Sequence, residues 1–145
     1  MSNPNDVRRY AEKMYGDDAA SKALGITVEV SGPGNAVAVV DVTETMLNGF
    51  FVCHGGHIFT LADTAFAFAC NTYGVVTLAA GASIEFLTPA RLGDRLTATA
   101  IERYHGGRIG IYDVTVTNQD GVDVAVFRGR SHATHRSMLE DDTHM

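Results

Sequence analysis

The sequence contains few cysteines and no long apolar run, and each shortage limits what the protein can be. Two cysteines, Cys53 and Cys70, are too few for a disulfide scaffold, so a cytoplasmic location is expected. A membrane-spanning helix needs ~20 consecutive apolar residues, but polar residues interrupt even the most apolar part of the chain, residues 46–84. The N-terminus also lacks the apolar core of a signal peptide. We therefore expect no contact with a membrane.

Positive charge is also scarce, and the formal net charge of the 145 residues is −6. Nucleic-acid binding needs a basic surface, so it is not expected. An anionic small molecule is compatible with this balance, because arginine suits bidentate contact with phosphate and the second half of the chain is rich in arginine. These arginines are Arg91, Arg95, Arg103, Arg108, Arg128, Arg130 and Arg136. Most of them are expected to be solvated charges at strand edges.

The order of predicted elements indicates one domain over residues 1–145, since this length fits a single core and 46% of the residues are hydrophobic. A short amphipathic helix is expected over residues 4–15, and a long helix over residues 56–73 that stops at Gly74. Alternation predicts a strand over residues 24–31. Strands are also expected over residues 36–42, 75–86, 95–105, 108–118 and 123–135, with turn residues between them. The polar tail after residue 137 is expected to be loose.

The long helix is apolar on nearly all faces, and such a helix must be buried on nearly all faces. Helices and strands do not alternate along the chain, so a doubly wound fold is not expected. A curved antiparallel sheet can cover the helix by wrapping around it. The sequence therefore predicts an α+β chain with the hot-dog fold, and so apolar a helix also favours contact with a second subunit.

Asp63 is the only Asp, Glu, Lys or Arg residue between Met46 and Ile84. It lies in the segment LADTAFAFAC, where a carboxylate without a partner costs several kcal/mol to bury or has its pKa raised. Asn48 and His54 lie upstream, followed by Gly55 and Gly56. Together these residues predict a small catalytic site.

The segment MLNGFFVCHGGHIFTLADTAFAFACNTYG resembles the active-site segment of hot-dog acyl-CoA thioesterases, and most of all the phenylacetate-pathway family called PaaI. The shared pattern is an Asn, then His-Gly-Gly six positions later, then an acidic residue nine positions after the His. The segments SIEFLTPARLGDRLTATA and VAVFRGRSH also look alike, so the resemblance covers roughly residues 23–132. It implies hydrolysis of an acyl-CoA to a free acid and coenzyme A.

Gly55 and Gly56 open the predicted helix, where the first N–H groups lack partners and the helix dipole is positive. These groups can hold the negative oxygen that forms when a thioester carbonyl is attacked. A glycine there lets the acyl group approach the backbone closely. The alternative is an ordinary glycine-containing turn before a helix.

Gly55 and Asp63 are eight residues apart, which is a rise of ~12 Å along one helix. One thioester cannot use both groups of the same chain. If both serve one thioester, the helices come from two antiparallel subunits, and the dimer has two composite sites. The resemblance implies the same, and pairing of dimers into a tetramer is also expected.

Several roles remain open for these residues. Asp63 could attack the thioester as a nucleophile or act as a general base on water, unless it is merely bonded to backbone or to Thr64. Asn48 could position water or the thioester, or it could only form the Asn-Gly turn. His54 could donate to the thioester or order the loop. Cys53 is not expected to be a nucleophile, because adjacent side chains point in different directions.

By resemblance, residues 88–91, 104–108 and the last strand lie near the nucleotide of coenzyme A. Arg91, Arg108 and Arg130 are therefore the expected phosphate contacts, with Gly56 also in the binding site. No cofactor is implied, because coenzyme A is part of the substrate. No metal site is expected, since Cys53, His54, His57 and Asp63 form none of the usual ligand patterns.

An aromatic, phenylacetyl-type acyl group follows from the family. Some relatives carry Ser or Thr on the strand after the helix to hold the attacking water, but this chain has Ala79 and Ala80 there. Thr77 or Thr64 could take that place. Two alternatives to the thioesterase stay open. One is a hot-dog dehydratase or hydratase acting on acyl thioesters, and the other is a non-catalytic acyl-CoA-binding module.

Overall fold

A computed structural model describes residues 4–139 of the chain. Its helices and strands follow the order expected from the sequence, with one short helix added. The elements are α1 (Pro4–Asp17), α2 (Ala19–Leu24), β1 (Thr27–Gly32), β2 (Asn35–Asp41), a 3₁₀ turn (Glu44–Met46), α3 (Gly55–Cys70), β3 (Val75–Phe86), β4 (Arg95–Gly106), β5 (Ile109–Thr117) and β6 (Asp123–Ser137).

The six strands form one antiparallel sheet in the order β1-β2-β4-β5-β6-β3. The sheet curves around α3, which contacts all six strands. This is the α+β arrangement predicted from the sequence. Because β3 follows α3 directly and pairs only with β6, it forms one edge of the sheet beside the helix.

Small residues allow α3 to lie close to the sheet. Ala62, Ala65 and Ala69 of the helix are fully buried, and Ala38 and Ala98 are equally buried on β2 and β4. The helix has 16 residues. None of the helices in residues 4–139 is long and apolar enough to cross a bilayer.

Two boundaries differ from the prediction at the start of the chain. The first helix reaches Asp17 rather than residue 15, and residues 19–24 form α2, so the first strand begins at Thr27 rather than at residue 24. Asp18 caps α2, since its carboxylate accepts from the Ser21 N–H at 3.0 Å and from the Ser21 hydroxyl at 2.7 Å. Gly25 ends α2 with a φ of 76°, a conformation that favours glycine.

The predicted end of the long helix at Gly74 is wrong, because α3 ends at Cys70. The side chain of Asn71 makes hydrogen bonds at the point where another helical turn would otherwise follow. Its amide nitrogen donates to the carbonyls of Ala67 at 2.8 Å and Thr77 at 2.9 Å, and its oxygen accepts from the Thr77 N–H at 2.8 Å. This residue therefore joins the end of α3 to the start of β3.

The tail that was expected to be loose after residue 137 starts with a fixed residue. Met138 is buried, and its N–H donates to the carbonyl of Gly74 at 2.9 Å. Its own carbonyl accepts from Lys13 Nζ at 2.9 Å, which links the end of β6 to α1. Residues 140–145 lie outside the described residues.

Asn71→Ala should lower the free energy of unfolding by about 2 kcal/mol, because it leaves the Thr77 N–H and two carbonyls without their partner in partly buried surroundings. Urea denaturation followed by circular dichroism measures the change. Asn35→Ala is the matched control, since Asn35 is exposed and its amide makes only a 3.5 Å contact with the Pro33 carbonyl. Equal losses in the two variants would contradict the joining role of Asn71.

Candidate active site

His54 caps the N-terminus of α3. Its Nδ1 accepts from the Gly56 N–H at 3.2 Å, and its carbonyl accepts from the His57 N–H at 2.9 Å. In a neutral imidazole with Nδ1 as acceptor, the proton is on Nε2, which is then a donor. His54 therefore orders the start of the helix, which is one of the two roles expected for it. Its Nε2–H can still donate to another partner. The Gly56 N–H is already occupied by this cap.

Gly55 contributes the first N–H of α3, and within residues 4–139 this group has no hydrogen-bond acceptor. Gly55 lines a cleft of about 230 Å³ with Ile58, Phe86 and neighbouring residues. A Cβ added at Gly55 would lie 3.0 Å from Cζ of Phe86, so a larger residue would push against that ring. An unoccupied N–H at the positive end of a helix is suited to holding an anionic oxygen.

Asn48 organises the loop before α3. Its Oδ1 accepts from the N–H groups of Phe50 at 2.9 Å and Val52 at 3.3 Å. The side-chain NH₂ group finds no acceptor in residues 4–139 and remains a donor. Phe51 in this loop has a φ of 61°, which is uncommon for a residue with a side chain. The turn role and a donor role of Asn48 are therefore compatible.

Cys53 is held in the core beside this loop. Its N–H donates to the carbonyl of Ala90 at 2.7 Å, and burial raises the pKa of its thiol to about 11. The thiol is therefore protonated near neutral pH and is a poor nucleophile. Burial likewise raises the pKa of Cys70 to about 12. Both cysteines are free and buried.

Asp63 is half-buried on α3, and its pKa is raised mainly by desolvation and further by the nearby negative charge of Asp18. No group in residues 4–139 donates a hydrogen bond to its carboxylate. The Thr64 hydroxyl instead donates to the carbonyl of Thr60 at 2.7 Å and lies 3.2 Å from the Ser21 hydroxyl. The alternative in which Thr64 binds Asp63 is therefore wrong.

Asp63 opens into a cavity of about 400 Å³. One wall is a stripe of α3 at helical spacing, and the others come from α1, β3 and β6. The lining residues of α3 are Asp63, Phe66, Ala67 and Cys70, and those of the rest of the chain are Lys13, Met14, Asp17, Asn71, Val76, Thr77, Leu78, Ala79, Arg136 and Met138. Gly55 is not among them, so one chain places Gly55 and Asp63 in two separate openings.

Ala79 and Ala80 have no polar side-chain atom that could hold a water molecule. Ala80 lies at an irregularity of β3, where the pairing with β6 shifts between Ala79 and Gly81. Thr77 lines the Asp63 cavity, and its hydroxyl donates to the carbonyl of Val75 at 2.9 Å while its oxygen can still accept. Thr64 does not line the cavity. Thr77 is thus the better placed of the two threonines.

The three arginines expected at phosphate lie on different elements and do not line one common opening. Arg108 already donates to the carbonyls of Ala133 at 3.2 Å and Thr134 at 3.1 Å. Arg130 is exposed on β6, with Nη2 3.4 Å from the carbonyl of Ala80. Arg91 is exposed in the loop before β4. No cluster of three His, Cys, Asp or Glu side chains suited to a metal occurs in residues 4–139.

Met14 and Met138, which line the Asp63 cavity from α1 and from just after β6, were not among the residues predicted for the site. The amphipathic pattern of α1 predicts a helix with a buried face. It contains no signal for the element that this face covers, because that depends on the path of the whole chain.

The thioesterase superfamily sequence model matches residues 50–125, a segment that contains His54, Gly55 and Asp63. The chain therefore belongs to the thioesterase superfamily. It is 50% identical over 122 residues to the acyl-coenzyme A thioesterase PaaI of Escherichia coli K12, which covers 84% of this chain and 87% of that protein.

Solved structures agree with this assignment. The structure of E. coli PaaI, from the phenylacetic acid degradation operon, has a TM-score of 0.90 at 46% identity and covers 92% of this chain and 97% of that one. The protein smu.793 of Streptococcus mutans UA159 bound to acetyl CoA has a TM-score of 0.73 at 28% identity, covering 77% of this chain and 90% of that one. The fold is the hot-dog fold expected from the sequence.

Asp63→Asn should leave the melting temperature at neutral pH unchanged or raise it. A raised pKa in the folded state means that folding favours the protonated acid, so the stabilisation is present at low pH and is lost as pH rises through that folded pKa. The neutral amide avoids this loss. The difference between the variant and the wild type should therefore shrink on acidification towards the ordinary aspartate pKa.

Thermal unfolding across this pH range measures the effect. Asp120→Asn serves as control, because it removes one negative charge from an exposed turn. A variant at Asp63 that is less stable than the wild type at neutral pH, with a loss that disappears in acid, would show that the carboxylate has a structural partner.

Proposed function

We propose that this protein is an acyl-CoA thioesterase that hydrolyses an aromatic, phenylacetyl-type acyl-CoA to the free acid and coenzyme A. The single observation that carries the proposal is the environment of the Asp63 carboxylate. This carboxylate opens into a largely apolar cavity, has a raised pKa and accepts no hydrogen bond from residues 4–139. The similarity to E. coli PaaI supports both the activity and the aromatic acyl group.

In the proposed reaction, Asp63 acts as general base on a water molecule, and its raised pKa makes it a stronger base. The water oxygen bonds to the thioester carbon as its proton moves to Asp63. The carbonyl oxygen gains negative charge and is held at the Gly55 N–H. The carbon–sulfur bond then breaks, and the proton passes from Asp63 to the sulfur of coenzyme A.

The alternative route uses the same residues. The carboxylate of Asp63 attacks the thioester carbon, coenzyme A leaves, and water hydrolyses the mixed anhydride that results. In either route, the NH₂ group of Asn48 is available to position the water or the thioester. The Nε2–H of His54 is available to donate to the thioester. Both groups belong to the loop and helix start that carry Gly55.

A homodimer with two composite sites is part of the proposal. Gly55 and Asp63 are separated by a rise of ~12 Å along α3, and they line different openings of one chain. The edge of β3 also lacks a neighbouring strand within residues 4–139, and such an edge favours pairing with another chain. We further propose that two dimers pair into a tetramer.

Coenzyme A is proposed to bind beside Gly56, with Arg91, Arg108 and Arg130 as phosphate contacts. Relatives with bound ligand support this class of substrate, since one structure contains acetyl CoA. Arg91 and Arg130 are exposed and suited to this role, whereas Arg108 would have to share its guanidinium with two carbonyls and with the His135 ring. A cytoplasmic location fits two buried free cysteines.

Thiol release from phenylacetyl-CoA and straight-chain acyl-CoAs, followed with a thiol reagent, tests the activity. Asp63→Asn should lower kcat by at least about 10²-fold, because it removes the only proposed base while nearly preserving shape. Asp120→Asn should retain wild-type rates. Tight binding of acyl-CoA without thiol release would favour a binding module, and water addition without release would favour a hydratase.

The shared site gives a second test. Asp63→Asn and Gly55→Ala chains are each expected to be strongly impaired, since the added Cβ crowds Phe86 and the proposed oxyanion position. After mixing and subunit exchange, half of the dimers are mixed. Each mixed dimer has one intact site, so up to about a quarter of wild-type activity should return.

Native mass spectrometry establishes whether the subunits have exchanged, and each variant re-associated with itself is the control. Activity that stays at the level of the separate variants despite full exchange would contradict the composite site. Asp63 and Gly55 would then work within their own chain.

A further inference from the structure

The Asp63 cavity runs along α3 away from Gly55. Its floor is the stripe from Asp63 through Phe66, Ala67 and Cys70 to Asn71, which spans a rise of ~12 Å. Asp63 is at one end of this stripe and Asn71 is at the other. An acyl group whose carbonyl carbon is attacked at Asp63 therefore has room along the stripe towards Asn71.

Helix α1 borders the same cavity through Lys13, Met14 and Asp17. Near the Asn71 end, the Tyr10 hydroxyl is 2.9 Å from the position that a Cβ would take at Gly74, and Lys13 Nζ donates to the carbonyl of Met138. At the other end, Asp17 lines the cavity with Asp63. Met14 lies between Lys13 and Asp17 in sequence and also lines the cavity. We call Met14 and Met138, which both line this side of the cavity, its roof.

The roof and the reacting groups fall in different parts of the chain. Gly55 and Asp63 lie within residues 50–125, which match the thioesterase superfamily. Helix α1 and the end of β6, with Met14 and Met138, lie outside that segment. The roof can therefore change size without any change to the groups proposed to perform the chemistry.

We propose that Met14 closes the acyl cavity from above, together with Met138, and determines the largest acyl group that the enzyme accepts. This inference rests on the proposed thioesterase function. The cavity of about 400 Å³ is lined by the charged groups of Lys13, Asp17 and Arg136 as well as by apolar side chains. The apolar part, formed by Phe66, Leu78 and the two methionines, suits an apolar acyl group. Methionine is flexible and its sulfur packs favourably at the edge of aromatic rings. The expected substrate class is an acyl-CoA with a single aromatic ring.

Because the stripe begins at Asp63, the acyl group lies in the protomer that supplies the base. The Gly55 N–H that holds the carbonyl oxygen comes from its partner in the proposed dimer. Met14 therefore selects the substrate for the Asp63 of its own chain. A substitution at Met14 should change the preference among acyl groups, and it should leave the groups around the carbonyl in place.

Two substitutions of opposite size test this assignment. For each, kcat/KM is measured with phenylacetyl-CoA and with the bulkier naphthylacetyl-CoA. Met14→Ala should raise the ratio of naphthylacetyl-CoA to phenylacetyl-CoA about tenfold, and Met14→Phe should lower it, since changes of a few methylenes in an apolar pocket have effects of this order. Glu12→Ala is the control on α1, because Glu12 is exposed and does not line the cavity.

Opposite shifts of the ratio confirm the assignment, since a general loss of stability would move both substrates in the same direction. If both Met14 variants change the two rates by one common factor while the wild type releases thiol, Met14 does not select the acyl group and the thioesterase function stands. If the wild type releases no thiol from any acyl-CoA, the proposed function fails and the assignment of Met14 fails with it.

Discussion

The contact between Phe66 of α3 and Gly129 of β6 fixes how closely the helix lies to the sheet. A Cβ at Gly129 would be 2.7 Å from the Phe66 ring, so only glycine allows this approach. The ring also packs against Tyr112 and Phe127, with both centroids 5.7 Å away, and it is fully buried. Asp63 is three residues before Phe66 on the same stripe. The position of the carboxylate under α1 therefore depends on this packing.

The charged group in the middle of this apolar helix is tolerated at a cost in stability. Desolvation raises the pKa of Asp63, and Asp18 adds to the effect instead of relieving it. Asp18 is the N-cap of α2, and its carboxylate accepts two hydrogen bonds from Ser21. Ser21 also reaches the Thr64 hydroxyl beside Asp63. The N-cap of α2 thus places the negative charge of Asp18 near Asp63. Two hydrogen bonds from Ser21 stabilise that charge.

The sequence predicted what depends on local pattern. The strand β3 has the predicted ends, Val75–Phe86, because it starts just after Gly74 and is followed by a proline-containing loop. Asp63 was identified because a carboxylate is so rare in an apolar segment. The start of α3 followed from His54 and two glycines, and the role of His54 as a cap agrees with one of its two expected roles.

Features that depend on distant contacts could not be predicted in the same way. Asn71 ends α3 because Thr77 of the next strand meets its side chain, and the sequence indicates only Gly74 as a stop. The bonds of Arg108 to strand carbonyls exist only after β6 is in place. The cavity beside Asp63 forms only when residues of α1, α3 and β3 come together, so its methionines had no signal of their own.

The proposed dimer follows from the geometry of one helix. Each chain carries both halves of the proposed site, with Gly55 at the start of α3 and Asp63 about two turns further along. A two-fold axis that brings Gly55 of one chain to Asp63 of another brings the reciprocal pair together at the same time. A symmetric dimer therefore has either two complete sites or none. The distance between Gly55 and Asp63 along α3 prevents one chain from forming a complete site. In a symmetric dimer, the same distance means that formation of the first site also forms the second.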